Sequence, residues 1–118
     1  MKIKVVKRKA ASNKELSHEL YEIPDVKYLH ELLYQIMLKE LSGTPELSSA
    51  GKIVYETYQK QKYTAEQAWN IVKQDFEDGL FRVFFNQEEY GKLEDTLKVK
   101  EENELVIIRL VMMAGRLW

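Results

Sequence analysis

Leu105-Val106-Ile107-Ile108-Arg109-Leu110-Val111-Met112 is the most apolar run of the chain, and its reading decides the fold. It is far too short to cross a bilayer as a helix, which takes about 20 residues. β-Branched side chains stand at Val106, Ile107, Ile108 and Val111, and the run is continuous instead of alternating, the pattern of a central strand covered on both faces. Arg109 interrupts it on the side shared with Leu105, Ile107 and Val111. A guanidinium there needs a partner or water, so Arg109 either pairs with an acid of residues 42–79 or marks an open, partly apolar sheet surface. The open surface is the preferred reading.

Outward from this strand, residues 100–104 read as a solvated reversal, Leu93 and Leu97 as a compact turn, and residues 86–91 as a turn that follows a dense aromatic strand over residues 80–85. At the other end, Ile3 and Val5 alternate with lysines, and Leu16, His18 and Leu20 share one side of a second extended run over residues 15–23. Ser12 and Asn13 lie in a turn over residues 10–14, giving a β-hairpin. Tyr21 and Ile23 fall on the opposite parity from Leu16 and Leu20, which predicts a bulge near Tyr21 or burial on both faces. Pro24 stops the strand and Asp25 is placed to cap an amphipathic helix over residues 26–41, with an apolar stripe of Leu29, Leu32, Leu33, Ile36 and Leu41 and a stop at Gly43.

Residues 44–51 then read as a loop and residues 53–57 as a short strand, with Tyr55 and Tyr58 at three-residue spacing leaving a helical reading open. Thr64 and Gln67 have the spacing of a capping box, and Ala65, Ala68, Trp69, Val72 and Phe76 describe a second amphipathic helix that ends before Gly79. The expected fold is therefore α+β, one domain over residues 1–118. It has a mixed sheet of four or five strands packed on the first helix, with the first and last strands adjacent and parallel and residues 42–79 inserted.

That order, together with Phe81–Phe85, Leu93 and Leu97, the run Glu101-Glu102-Asn103-Glu104-Leu105-Val106-Ile107-Ile108 and the end Met112-Met113-Ala114-Gly115, resembles the small sulfur-carrier proteins of thiamine and molybdopterin biosynthesis. The resemblance implies a β-grasp (ubiquitin-like) fold. Phe76-Glu77-Asp78-Gly79-Leu80 and Ile108-Arg109-Leu110 with Ala114-Gly115-Arg116 also resemble an uncharacterised bacterial family, a likeness that implies no activity. A sulfur carrier presents a free terminal glycine carboxylate for adenylation. Here Arg116 replaces the second glycine of the pattern and Leu117 and Trp118 follow, so the uncut chain is expected to be inactive as a carrier and cleavage after Gly115 to restore a competent end.

The remaining composition narrows the chemistry. The chain has 118 residues, 45% of them hydrophobic, enough for one core, and no cysteine, which excludes disulfides, thiolate metal sites and a thiol nucleophile and fits a reducing, cytoplasmic location. Neither a signal peptide nor a membrane span is read. The net charge of -1 hides a cationic start (Lys2, Lys4, Lys7, Arg8, Lys9, Lys14) and an acidic stretch over residues 75–104, which can attract each other within one fold.

His18 and His30 stand on different elements without a spaced carboxylate, so no metal site is expected, and His18 is expected to be partly buried. Ser48-Ser49-Ala50-Gly51 lacks the glycine pattern and lysine of a phosphate cradle, and no elbow motif surrounds a serine. Glu88/Glu89 and Glu101/Glu102 read as exposed turn residues. Asp75, Glu77 and Asp78 crowd the disfavoured end of the second helix and are expected to pair with Arg82 or the basic first strand. Lys52, Tyr55, Tyr58, Lys60, Lys62 and Tyr63 offer a weaker, nucleic-acid reading.

The expected function is that of a non-catalytic protein-interaction module without cofactor or metal. Its protein partner is expected to meet Ile107, Arg109, Gly115, Arg116, Leu117 and Trp118; a trimmed carrier or modifier is the alternative.

Overall fold

The computed structural model describes residues 1–10, 15–42, 45–56 and 62–110. Over these the protein is α+β, with a five-stranded mixed sheet, a three-stranded antiparallel sheet and two helices. In the larger sheet β1 (Lys2–Lys9) runs antiparallel to β2 (Glu15–Glu22) and parallel to β8 (Asn103–Arg109). β8 in turn pairs antiparallel with β6 (Phe81–Phe85), and β6 with β7 (Glu88–Tyr90), giving the order β2-β1-β8-β6-β7. The apolar run over Leu105–Arg109 is thus in the middle strand, side by side with the first strand through Val5 opposite Leu105 and Lys7 opposite Ile107, while Val111 and Met112 lie outside the described residues.

Among the described residues, helices cover only one face of that strand, not both. Ile3, Val5, Phe81, Val83, Phe85, Leu105 and Ile107 form one buried face, whereas Val106 and Ile108, of the other parity, are half-buried. The reason is that α1 (Leu29–Leu41) and α2 (Ala65–Glu77) both stack on the same side, and no helix among the described residues crosses the other. α1 contributes Leu29, Leu32, Leu33, Ile36, Met37 and Leu41 to this core, the stripe that its three- and four-residue spacing predicts.

α1 begins later than residue 26, with Tyr28 as N-cap. Residues 26–28 stay extended because a neighbouring loop takes up their hydrogen bonds. Tyr28 bridges to Thr96, and the Leu97 N–H donates to the Lys27 carbonyl at 2.8 Å. The Leu29 and His30 N–H groups donate to the carbonyls of Asp95 and Leu93, both at 2.9 Å, so first-turn donors of α1 are satisfied by protein. Asp25 does not cap; its carboxylate lies 3.5 Å from the N-terminal amine, and Glu31 closes the helix start by accepting from Tyr28 N–H at 2.9 Å.

The inserted region builds more than a strand and a helix. β3 (Glu46–Leu47), β4 (Ile53–Glu56) and β5 (Lys62–Thr64) form the small sheet, which feeds directly into α2. The capping box is present, with Gln67 N–H donating to Thr64 Oγ1 at 3.1 Å and Thr64 N–H donating to Gln67 Oε1 at 2.9 Å. At the other end Gly79, at φ 73°, donates to Phe76 O and Leu80 N–H donates to Asp75 O, the paired bonds of a Schellman stop. Ala68 and Val72 are buried in the common core, and the Phe76 and Phe81 rings meet at 5.7 Å. Tyr55 and Tyr63, opposite each other on β4 and β5, pack against that core. Leu47 and Ile53, opposite each other on β3 and β4, are exposed (73% and 56%).

The first hairpin pairs as expected, though with different facing. The irregularity lies between Lys7 and Arg8, not near Tyr21. Tyr21 stands opposite Ile3 and leads into buried Ile23 on the helix side, which leaves Leu20 (76% exposed) and His18 on the outer side; His18 is exposed, not partly buried. Between β6 and β7 the chain reverses over Asn86 and Gln87 at φ 50° and 72°, a two-residue turn with both residues in the left-handed region. Asparagine tolerates this; glutamine is disfavoured there by about 1–2 kcal/mol. Gln87→Gly is therefore expected to raise stability by about 0.5–1 kcal/mol after the extra entropy of glycine is counted, read as an upward shift of the urea midpoint at unchanged slope.

Candidate functional site

Ile107 is fully buried beneath the helices, so it belongs to the core and has no surface for a partner. Arg109 shares its parity but sits at the end of β8, opposite Lys9 and Phe81, half-exposed. The face they share is the one that α1 and α2 cover, so Arg109 does not mark an open sheet surface. Gly115, Arg116, Leu117 and Trp118 lie outside the described residues, as do Tyr58 and Lys60. The acids of α2 do not pair with Arg82, which points to the other side of the sheet and lies 3.8 Å from Glu89. Asp78 instead accepts from Gln74 Nε2 at 2.9 Å.

Among the described residues, no helix lies over the outer face of the larger sheet, and register fixes the composition of that face row by row. One row runs from Leu20 through Lys4 to Glu104 and ends at the Asn86 turn. The next runs His18, Val6, Val106, Phe84, Glu89, and a third runs Arg8, Ile108, Arg82. Apolar side chains thus occupy the middle, with cations at one end and mixed charges at the other. Val6 is buried, while Phe84, Val106 and Ile108 are half-buried.

At the mixed end lies a trough of about 550 Å³ whose walls include Lys2, Lys4, Leu20, Gln87, Lys100 and Glu104. Lys4 Nζ stands 3.8 Å from Glu104. Its base is held by two asparagines. Asn86 donates from Nδ2 to Asn103 Oδ1 at 3.0 Å and to the Lys98 carbonyl at 3.2 Å, and accepts from Glu104 N–H at 2.9 Å. Asn103 accepts from Lys100 N–H and donates to Lys100 O, both at 2.9 Å. Both amides are used on both ends, which fixes the loop before β8 against the β6–β7 turn. The lysines and glutamates of its walls give the trough charges of both signs and hydrogen-bonding groups.

On the buried side a second polar group is set into the core. Lys7 is 3% exposed, and its Nζ lies 2.6 Å from Glu40 Oε1 on the last turn of α1. The Tyr21 hydroxyl donates to the same oxygen at 3.0 Å. Burial pulls the Lys7 ammonium below its ordinary pKa against the opposing pull of Glu40, and burial together with Glu40 pushes the Tyr21 phenol well above its own. Lys7 is enclosed and Glu40 and Tyr21 are half-buried at the edge of the helix–sheet contact, so the arrangement ties the end of α1 to the sheet.

No sequence signal singled out the trough, because its walls come from the ends of separate segments. The best available hint is Asn86, an asparagine at a two-residue reversal. Among the described residues no group of histidine and acids could hold a metal, and no helix is long and apolar enough to cross a membrane. Comparison with family models, with curated proteins and with solved structures finds no match to the chain.

Proposed function

We propose that the chain is a non-catalytic protein-interaction module of β-grasp type whose partner docks on the outer face of the larger sheet. With the small inserted sheet set aside, the remaining strands numbered in chain order lie 2-1-5-3-4, with the first helix between the second and third strands, which supports the β-grasp reading. The docking reading rests on one observation: half-exposed Phe84, Val106 and Ile108 on the central strands and exposed Leu20 on the edge strand, all on a face that no described helix covers. Apolar centres rimmed by charge are the composition of protein interfaces.

The test compares two variants of the full chain with matched thermal melts. Phe84→Lys with Leu20→Glu is expected to lose the proteins that co-purify with the wild-type chain from its native host, and Leu47→Glu with Ile53→Lys is expected to keep them. Retention by the first variant together with loss by the second would place the interaction on the hairpin and overturn the assignment.

A further inference from the structure

On the helical side, away from the outer face, a cavity of about 220 Å³ lies where the start of α1 meets α2. We propose that it binds an arginine side chain of a partner protein, the guanidinium meeting the Tyr34–Trp69 corner and the Glu31 carboxylate. This inference stands independently of the docking face proposed above.

The walls are aromatic and acidic. The Tyr34 and Trp69 rings meet at 5.5 Å with an interplanar angle of 83°, an edge-to-face corner that sets one ring plane at right angles to the other. Besides Tyr34, the titratable walls are Asp25, Glu31 and His30; Asp25 already lies 3.5 Å from the N-terminal amine, which leaves Glu31 as the carboxylate open to a further cation, and no lysine or arginine lines the cavity. Such a lining is complementary to a cation.

Glu31 is preorganised, because its Oε1 accepts from the N–H groups of Lys27 and Tyr28 at 3.0 and 2.9 Å, which fixes the carboxylate and draws its pKa down. The indole attracts cations in this structure, with Lys73 Nζ 5.9 Å from its centroid, yet Lys73 is not a wall of the cavity. A guanidinium is favoured over an ammonium because its planar fork can stack on a ring and meet a carboxylate at once.

Trp118→Phe leaves Trp69 as the sole tryptophan of the full chain and so as a fluorescent reporter. Titration with acetyl-Gly-Arg-Gly-amide is expected to change Trp69 emission saturably. The lysine peptide is expected to bind about fivefold more weakly, and the citrulline peptide, of the same shape but uncharged, to give no saturable change. Glu31→Gln keeps the acceptor at the helix start and is expected to weaken the arginine peptide about fivefold, with only a small drop in the melt from the lost charge at the helix start. Equal responses to arginine and citrulline, no saturable response to arginine, or an unaltered affinity in Glu31→Gln would each overturn the proposal.

Discussion

Glu40→Ala is expected to lower the stability of the protein by about 3 kcal/mol, the low end of the range for breaking a buried ion pair because Glu40 itself keeps some contact with solvent. The cost arises at Lys7. Its ammonium sits on the helix-facing side of β1 with Glu40 Oε1 at 2.6 Å, and that carboxylate offsets part of the desolvation that burial imposes. Without it the buried ammonium loses that offset, and the Tyr21 hydroxyl loses its acceptor as well. Replacing both partners with apolar side chains, Lys7→Met with Glu40→Leu, is expected to cost far less than the single change, since nothing charged is then left inside. Urea unfolding of the three proteins measures this. A loss of only a few tenths of a kcal/mol in Glu40→Ala would mean that the contact behaves as a surface pair.

Ile107→Ala is expected to cost about 3–4 kcal/mol and Ile108→Ala about 1 kcal/mol, although the two residues are neighbours of identical chemistry. Ile107 is fully enclosed between β1, β6 and the helices, whereas Ile108 lies half-exposed on the outer face. Removal of the first side chain leaves a cavity that packed neighbours cannot fill; removal of the second leaves a dent that water occupies. Equal or reversed losses by chemical denaturation would mean that β8 is shifted by one residue, which exchanges its two faces.

That pair also shows where sequence reading stops. The continuous apolar run of residues 105–112 identifies a central strand, and period-two lysines identify its neighbour, so the adjacency of β1 and β8 is legible. Which side of β8 is covered is not, because a run apolar at nearly every position has no alternation to read. Arg109 pointed to an open face on the Ile107 side; its place at the strand end lets it stay half-exposed on the covered side instead. The hairpin misleads for a related reason. Leu16, His18 and Leu20 look like the apolar side, yet the face under α1 carries Lys7 and Tyr21, polar residues made acceptable by Glu40 more than thirty positions away from Lys7 in the chain. Capping signals fared better: Thr64, Gln67 and Gly79 act within one or two turns, so their outcome is fixed locally. Asp25 failed as a cap because loop carbonyls reach the first turn of α1. The outer-face trough depends on strand ends brought together only by the completed sheet, and no local pattern announces it.

The pairing of Val5 with Leu105 has a consequence for biosynthesis. The hairpin of β1 and β2 emerges from the ribosome early, but the neighbour that completes β1 is synthesised last among the described elements, so one edge of β1 waits through most of translation. Contacts this distant in sequence close slowly, and until they close Val5 and Val6 border an unsatisfied backbone edge open to other nascent chains. A ribosome stalled between residues 78 and 102 therefore holds a polypeptide in which the segments of both helices and of the hairpin have been made, but which has no finished sheet to join them.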